Sequence, residues 1–247
     1  LELTGNRDKI TLKLGAIGDI IKEADYWAKD SKRKYISAKH VEKAIEKKRY
    51  RANLVEERVQ ELVKKDILWV ETSGSRIGQV NGLSILQTGD HTFGKPGRIT
   101  TNVGMGKRGV VTIERESELS GKTHTKGVMI LSGYLCEHFA QERPLALTAS
   151  LCFEQTYGMV DGDSASSAEL FALLSAIAQA PIYQGIAVTG SVSQKGEIQP
   201  VGGVTRKIEG FFDICKYKGL TGTQGVIIQE KSVKELMLKK DLVAAVE

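Results

Sequence analysis

The sequence contains little cysteine and no long apolar run, and these absences exclude two classes of protein. Its three cysteines among 247 residues are far apart and odd in number, unlike the framework of a disulfide-rich secreted domain. Cys136, Cys152 and Cys215 each lie in an apolar segment, so we expect reduced core residues. No apolar run approaches eighteen residues and no signal peptide opens the sequence, so we expect a cytoplasmic protein without a membrane span.

The sequence also lacks the motifs of a metal or nucleotide site. Its four histidines have no metal-ligand spacing with the cysteines. Residues 121–123 resemble the end of a P-loop, but Glu116 occupies the position where that motif needs a glycine. Residues 104–109 fit G-x-G-x-x-G, yet a strand-like run follows them, so we interpret this segment as a turn between two strands. We therefore expect no cofactor in this chain.

What is present is the composition of a soluble globular protein, with 41% hydrophobic and 26% charged residues. The basic surplus is confined to residues 1–66, which carry 17 lysines and arginines against 12 acidic residues, whereas the remainder balances at 18 each. Such a surplus is typical of solvated helix faces, and it leaves open a weak contact with nucleic acid through the N-terminal helices. The sequence begins with Leu1 rather than Met, so we expect part of a longer polypeptide.

The spacing of apolar residues divides the chain into a helical segment and a mixed one. Residues 8–30 and 38–65 follow the helical period, with Ser37 as the N-cap of the second helix. From residue 67 short strands follow, and from about residue 120 strands and helices alternate. We predict an all-α piece at 1–66 and an α/β or α+β domain at 67–247. The predicted strands of that domain lie at 67–70, 77–86, 98–103, 109–114, 145–153, 186–189 and 225–229, and its longer helices lie at 128–139, after Ser164 and at 205–217.

Residues 158–170, rich in glycine and aspartate, predict a turn that delivers Ser164 to the start of a helix. Ser166 and Glu169 have the spacing of a capping box at that helix start. Ser164 would then lie beside free backbone N–H groups and the positive end of the helix dipole. There it could attack a carbonyl carbon while N–H groups hold the oxyanion. Serine, aspartate and glycine are also ordinary turn and capping residues, so this stretch alone leaves both interpretations open.

A second stretch, residues 189–207, ends in a lysine at the margin of an apolar helix face. The helical period places Lys207 near Val204, Phe211 and Ile214. A lysine in this position usually extends its ammonium group to water. If the amine is buried instead, its pKa falls and it becomes a base near neutral pH. A serine paired with such a lysine is one variant of nucleophile-plus-base catalysis.

Together the two stretches resemble the proteolytic domain of the Lon family of ATP-dependent serine proteases, over residues 77–236. The family motif Asp-Gly-x-Ser-Ala is present at 161–165, and Thr-Gly…Gly-x-x-x-Pro-x-Gly-Gly-x-x-x-Lys is present at 189–207 in matching register. Asp163, in place of proline, resembles the archaeal-type and Lon-related branches, as does the segment 118–134. The resemblance implies the α/β fold of that proteolytic domain.

The resemblance also implies a role for each matching residue. Ser164 would be the nucleophile, and Lys207 the general base that later protonates the leaving amine. Thr189 would orient the lysine by a hydrogen bond. Asp161 aligns with an acidic residue near the dyad in archaeal-type members. Backbone N–H groups around Asp163 and Ser164 would form the oxyanion hole.

Two positions depart from the bacterial branch of the family. Ser191 stands where that branch has an acidic residue, and Cys152 stands where it has a histidine. These departures favour the Lon-related branch.

The resemblance has wider implications for the parent protein. Residues 1–66 are similar to the helical subdomain that closes a AAA+ ATPase module, so ATP and Mg²⁺ would bind upstream of this chain. Family members form hexameric rings and degrade unfolded or damaged proteins. The alternative is a Lon-type domain that serves only as an assembly or nucleic-acid-binding scaffold, against which the presence of both Ser164 and Lys207 counts. A dyad that is latent in this fragment is a third possibility.

Overall fold

A computed structural model describes residues 10–142 and 146–246. The helices are α1 (Leu14–Asp30), α2 (Ala38–Ala52), α3 (Leu54–Lys64), α4 (Ile113–Glu116), α5 (Lys122–Phe139), α6 (Ser166–Ala178), α7 (Val204–Lys218) and α8 (Lys240–Val246), with a 3₁₀ helix at Glu230–Glu235. The strands are β1 (Ser75–Arg76), β2 (Gln79–Thr88), β3 (His91–Met105), β4 (Gly109–Thr112), β5 (Leu147–Phe153), β6 (Ile182–Tyr183), β7 (Ile186–Val188), β8 (Ser191–Val192), β9 (Ile198–Gln199) and β10 (Gly225–Ile227). Over the described residues, none of the helices combines the length and apolar character needed to cross a membrane.

The chain separates into two compact units. One comprises Leu1–Gln60 with Gln87–Thr92, and the other comprises Glu61–Leu86 with Phe93–Glu247. The boundary between residues 66 and 67 that the sequence indicates stays a prediction.

In the first unit, α1 and α2 pack against each other through small side chains. Ala24, Ala28 and Ala44 are buried there, and alanine lets helix backbones approach closely. At the margin of the contact, the Arg51 guanidinium donates two hydrogen bonds to the Glu23 carboxylate, at 2.9 and 2.6 Å. A bidentate pair of this kind fixes orientation as well as adding energy.

The predicted single helix at 38–65 is wrong, because it is interrupted at Asn53. The Asn53 side-chain nitrogen donates to Glu57 Oε1 at 3.1 Å, and the backbone carbonyl of Asn53 accepts from the Glu57 N–H at 2.9 Å. Asparagine favours helix ends because its side chain competes with the backbone for hydrogen bonds. Ser37 is the N-cap of α2, as predicted, and its N–H donates to His40 Nδ1 at 3.1 Å.

Within the described residues the main sheet has six strands, in the order β10-β7-β2-β3-β5-β4. The β2–β7, β7–β10 and β4–β5 pairs are parallel, whereas β3–β5 is antiparallel. Parallel neighbours need crossover connections, which the helices supply. The predicted mixed α/β architecture is confirmed, with a helical piece before it. The segment 104–109, interpreted as a turn, does connect β3 to β4.

Helices cover both faces of this sheet. On one face α5 and α6 pack over a core that includes Leu131, Leu173 and Val188. On the other face α7 packs through Phe211 against a core that includes Ala187. Consecutive residues of β7 therefore serve opposite faces, as the pleat requires. Helix α6, which follows Ser164, and helix α7, which carries Lys207, therefore approach the end of β7 from opposite faces of the sheet.

The strand predicted at 67–70 is absent from the described structure. The Trp69 N–H donates to Gln155 Oε1 at 2.8 Å, and Gln155 Nε2 donates to the Ile67 carbonyl at 2.6 Å. One side-chain amide thus satisfies two backbone groups that a neighbouring strand would otherwise satisfy.

The strand predicted at 109–114 is shorter than expected. β4 ends at Thr112, and α4 begins at Ile113. Glu114 turns inward, where its Oε1 accepts a hydrogen bond from the Phe153 N–H at 2.7 Å. The strand predicted at 145–153 begins at Leu147, and residue 145 lies outside the described residues.

The expectation of three core cysteines is partly wrong. Cys215 is buried and Cys152 is half-buried, but Cys136 lies on the exposed side of α5. All three thiols are free. The apolar character of a segment does not by itself determine which side of its helix a given cysteine occupies.

Candidate active site

Ser164 lies in a turn that forms hydrogen bonds with Thr189 and Gly190, the two residues that follow β7. Gly162 has a φ of 91°, a left-handed conformation that glycine adopts without steric cost. The Ser164 carbonyl accepts hydrogen bonds from the Gly190 N–H at 2.9 Å and from Thr189 Oγ1 at 3.1 Å. The turn that the sequence predicts is therefore tied to the sheet.

The predicted capping box at the start of α6 is wrong. The N-cap is Ala165, and the Ser166 hydroxyl donates to the Asp163 carbonyl at 2.8 Å. Glu169 turns into the core, where it is 0% exposed and its Oε1 lies 2.8 Å from His124 Nε2. A buried imidazole competes successfully for this carboxylate, so it does not fold back onto the helix end.

Backbone N–H groups around the serine remain available at the start of α6. Those of Asp163, Ser164 and Ala165 have no acceptor among the described residues. The Ser167 N–H, by contrast, donates to the Gly190 carbonyl at 3.0 Å. Unpaired N–H groups at a helix N-terminus stabilise negative charge, which is what a developing oxyanion requires.

Lys207 reaches Ser164 from the first turn of α7. Its Nζ lies 2.7 Å from Ser164 Oγ and 3.0 Å from Thr189 Oγ1. The side chain is only 2% exposed. The sequence left open whether this lysine extends to water or is buried, and in the structure it is buried.

Burial lowers the pKa of Lys207 to about 8, although the nearby negative charge of Asp163 raises it. With this pKa, about a tenth of the amines are neutral at pH 7 and most are neutral at pH 9. A neutral amine can accept the hydroxyl proton of Ser164 across the 2.7 Å contact. The environment therefore gives Lys207 the protonation behaviour of a base.

The Thr189 hydroxyl links the lysine to the serine turn. It donates to the Ser164 carbonyl, so its lone pairs are left to accept from Lys207 Nζ. Thr189 itself is 1% exposed, which limits its freedom to reorient. This is the geometry that the predicted orienting role requires, and the role stays a prediction.

Asp163 and Ser191 meet beside the lysine. Ser191 Oγ donates to Asp163 Oδ2 at 2.8 Å, across a separation of 28 positions in sequence. The sequence marked Ser191 only as a departure from the bacterial branch, and no local pattern could have paired these two residues. Together they hold a carboxylate close enough to raise the pKa of Lys207.

Asp161 is directed to the start of α5 rather than to the lysine. Its Oδ1 accepts hydrogen bonds from the backbone N–H groups of Thr123 at 3.1 Å and His124 at 3.3 Å. A bond from the Gly162 N–H, together with these, keeps the pKa of Asp161 below its usual value. Asp161 therefore caps a neighbouring helix while it also lines the cavity described next.

A cavity of about 610 Å³ opens beside the serine and the lysine. This is the size range of sites that enclose small ligands or side chains. It is bounded by the serine turn, by Ser84 and Ile85 of β2, by Ser191, and by the segment Gln199–Gly203 with Lys207. Over residues 10–142 and 146–246, no group of histidine, cysteine and carboxylate side chains has the arrangement to bind a metal.

Two glycines that the sequence did not single out allow α7 to lie directly against β3. A Cβ on Gly94 would overlap the carbonyl of Arg206, and a Cβ on Gly210 would overlap the carbonyl of Gly94. The backbones therefore touch at the turn of α7 that carries Lys207. Both glycines occur within regular elements, without turn signals, which is why local patterns missed them.

Two family models match parts of this chain. Residues 158–236 match the model of the Lon protease (S16) C-terminal proteolytic domain. Residues 1–51 match the model of the archaeal LonB AAA+ ATPase LID domain. The first match contains both the serine turn and Lys207.

Individual relatives carry related names. A putative Lon protease homolog of Escherichia coli (strain K12) is 47% identical over 205 residues, which is 82% of this chain and 35% of the relative. A putative Lon protease homolog of Haemophilus influenzae is 42% identical over 214 residues, 86% of this chain and 36% of the relative. An archaeal Lon protease of Archaeoglobus fulgidus is 28% identical over 237 residues, 95% of this chain and 36% of the relative. The chain thus spans about a third of the length of these relatives.

Proposed function

We propose that this chain, which belongs to the Lon protease family, cleaves peptide bonds with Ser164 as nucleophile and Lys207 as general base. The chain carries the Lon C-terminal proteolytic domain, and that domain is a serine peptidase. The observation that carries the assignment of residues is the 2.7 Å contact between Lys207 Nζ and Ser164 Oγ, at a lysine that is 2% exposed. Thr189, Asp163 and Asp161 have supporting roles.

In the first half of the proposed reaction, Ser164 Oγ attacks the carbonyl carbon as its proton passes to the neutral amine of Lys207. Backbone N–H groups at the start of α6 stabilise the oxyanion. The intermediate collapses, the C–N bond breaks, and the Lys207 ammonium group gives its proton to the leaving amine. An acyl ester on Ser164 remains.

In the second half, water attacks the ester and gives a proton to Lys207. The bond between Oγ and the acyl carbon then breaks, and Lys207 returns the proton to Ser164 Oγ. The amine thus alternates between base and acid, for which a pKa of about 8 is suited at mildly alkaline pH. Thr189 holds the amine in line, and Asp163 limits the fall of its pKa.

For the parent protein, we propose an ATP-dependent protease that degrades unfolded or damaged proteins in the cytoplasm. ATP and Mg²⁺ would bind in a AAA+ module upstream, of which the segment matching the LID domain is the C-terminal part. A hexameric ring would enclose the proteolytic sites. The division at residues 66 and 67 would separate the LID piece from the protease. Contact of the basic N-terminal helices with nucleic acid would be weak and secondary.

The test compares cleavage of a fluorogenic peptide and of an unfolded protein by the wild-type chain, Ser164→Ala and Lys207→Ala. Ser132→Ala and Lys195→Ala are matched controls, because Ser132 is on α5 and Lys195 is an exposed residue of the β8–β9 hairpin. We expect both dyad variants to lose at least about 10³-fold in kcat, since the nucleophile or its base is removed. The controls should stay within about twofold of wild type.

Sedimentation of the same samples separates the rival explanations. Cleavage that survives Ser164→Ala contradicts the assignment. An inactive wild-type chain that sediments as a hexamer favours the scaffold alternative. An inactive monomer indicates a latent site, and the comparison is then repeated on the longer protein with its AAA+ module.

A further inference from the structure

We propose that the start of α5 positions the serine turn, and that the buried bridge between His124 and Glu169 is the contact on which this positioning depends. The inference rests on the proposed function, since it assigns to these two residues control of the rate at which Ser164 is acylated. Both act through Ser164 and neither touches the reacting atoms, so they are positioning residues.

The segment before α5 is bonded to the segment before the serine. The Gly121 N–H donates to the Val160 carbonyl at 2.8 Å, and the Val160 N–H donates to the Leu119 carbonyl at 2.8 Å. One residue further along, the Asp161 carboxylate accepts from the N–H groups in the first turn of α5. These bonds fix the chain three residues before Ser164.

The bridge between His124 and Glu169 fixes the chain five residues after Ser164. His124 Nε2 lies 2.8 Å from Glu169 Oε1, and His124 Nδ1 lies 2.8 Å from Ser120 Oγ. The two bridging side chains are 1% and 0% exposed, although they lie 45 positions apart in sequence. The serine turn is thus bonded to the start of α5 on both sides, through Asp161 before Ser164 and through Glu169 after it.

Small residues let that helix end approach the turn. A Cβ on Gly121 would overlap the carboxyl group of Asp161, and a Cβ on Gly127 would lie 2.9 Å from Ser166 Oγ. Gly121, His124 and Gly127 recur every three residues, so they share one side of the helix. This side of residues 121–127 faces the serine turn, and none of the three residues belongs to the proposed dyad.

The charges around the imidazole favour a strong bridge. Burial lowers the pKa of His124, but Glu169, Glu114 and Asp161 raise it, and the net shift is upward. The Cys152 thiol, whose pKa burial raises to about 11, faces Glu114 from β5. The imidazolium form therefore persists to higher pH than in a free histidine, and in that form its bond to Glu169 is charge-assisted.

Glu169 has no substitute for this partner. Its Oε2 has no hydrogen-bond partner among the described residues, so removal of His124 leaves the whole buried carboxylate without a side-chain donor. An unpaired buried charge forces rearrangement of its helix or of its protonation state. Either response moves the start of α6, which comes immediately after Asp163, Ser164 and Ala165, the residues whose N–H groups form the proposed oxyanion hole.

The experiment uses two conservative variants that each keep one of the two imidazole contacts. His124→Gln keeps an amide nitrogen near the Nε2 position, facing Glu169, whereas His124→Asn keeps one near the Nδ1 position, facing Ser120. His138→Gln, an exposed histidine on the same helix, is the matched control. For each variant, kcat and KM are measured with a peptide substrate, and the fraction of Ser164 that a peptide boronate modifies is counted by mass spectrometry.

We expect His124→Asn to lower kcat by about tenfold to a hundredfold with KM within about twofold, because small misplacement of a nucleophile has effects of this size. His124→Gln should retain kcat within about fivefold of wild type. The boronate-reactive fraction should be unchanged in all variants. Equal losses in both variants, or a loss of kcat that follows the reactive fraction, would show a structural role only and overturn the inference.

A second readout needs no turnover. In amide ¹H–¹⁵N spectra, His124→Asn should shift the resonances of Asp163 and Ser164 more than His124→Gln does, and equal shifts overturn the inference. The proposed function fails separately, by cleavage that survives Ser164→Ala. A failed dyad and a failed bridge therefore give different results.

Discussion

At the scale of single residues, the proposed chemistry depends on one buried amine. Lysine is usually solvated, and transfer of its charged form into a protein interior is unfavourable. Lys207 is held in the interior by hydrogen bonds to Ser164 and Thr189, at a pKa of about 8 instead of its ordinary 10.5. Both the pH dependence of cleavage and the pH dependence of stability follow from this shift.

The first prediction concerns the pH dependence of cleavage. If the neutral amine is the base, as proposed, kcat/KM should rise with pH and reach half its maximum near the Lys207 pKa of about 8. The measurement is kcat/KM from pH 6 to pH 10 with one peptide. A profile that is flat or falls over this range contradicts the assignment of the base.

Two aspartates of the cavity provide the matched control for that profile. Asp163→Asn removes the negative charge that raises the pKa of Lys207, so the midpoint should move to lower pH by about half a unit to one unit. Asp161→Asn changes the same charge in the same cavity, but its side chain is bonded to α5. That variant should lower kcat and leave the midpoint in place.

The second prediction concerns stability. The folded-state pKa of Lys207 is below its unfolded value, so between pH 8 and 10.5 the unfolded state binds more protons. Burial of the charged amine therefore lowers the free energy of unfolding below pH 8. This destabilisation disappears as the pH rises from 8 to 10.5. Lys207→Met should be inactive and, at pH 7, more stable in free energy of unfolding by about 1–3 kcal/mol.

Urea unfolding of both proteins at pH 7 and pH 10 measures this difference. Comparison of variant with wild type at each pH removes the contribution of all other titrating groups. The advantage of the methionine variant should shrink at pH 10. An advantage that grows with pH is incompatible with a lowered lysine pKa.

At the scale of elements, local patterns predicted most helices and strands and both motif-bearing turns. The Ser164 turn and the α7 helix of Lys207 were predictable because glycine spacing and helical periodicity are properties of short windows. The strand predicted at 67–70 does not form, because Gln155, far away in sequence, satisfies the backbone groups of that segment. The contact of Asp163 with Ser191 could not be predicted from local patterns either, because the two residues are 28 positions apart in sequence.

The third prediction tests the close approach of α7 to β3. Gly210→Ala places a methyl group against the Gly94 carbonyl, so it should destabilise the fold by about 1–3 kcal/mol and lower kcat as Lys207 shifts. Gly133→Ala on α5 is the control, since its methyl group meets only the flexible end of Gln194. We expect that variant to stay within about 0.5 kcal/mol and to keep its activity. Equal effects of the two changes contradict the positional role of Gly210.

At the scale of the whole molecule, the chain has two compact units of different character. Residues 1–66 carry the entire basic surplus of the sequence, and the first 51 match a LID domain. The second unit carries the serine, the lysine and their supporting residues. The candidate peptidase site therefore lies wholly in the second unit, and the basic surplus lies in the N-terminal helical segment.

The fourth prediction concerns that basic surplus. If the N-terminal helices contact nucleic acid, duplex DNA should bind weakly, with a dissociation constant that rises severalfold or more between about 50 and 200 mM salt. Fluorescence anisotropy of labelled duplex measures this. Lys39 is exposed and Lys47 is half-exposed on α2. The double variant Lys39→Glu, Lys47→Glu should abolish DNA binding without loss of peptidase activity. DNA binding that is insensitive to salt and to both substitutions would show that the N-terminal helices do not provide the DNA contact.

The most direct test of the central claim is to trap the acyl-enzyme and locate it. The wild-type chain is mixed with a peptide ester, quenched in acid within seconds, and digested for mass spectrometry. We predict an acyl group on Ser164, absent from Ser164→Ala and formed much more slowly in Lys207→Ala. An acyl group on another residue, or turnover of the ester with Ser164 unmodified at every time point, would contradict the account.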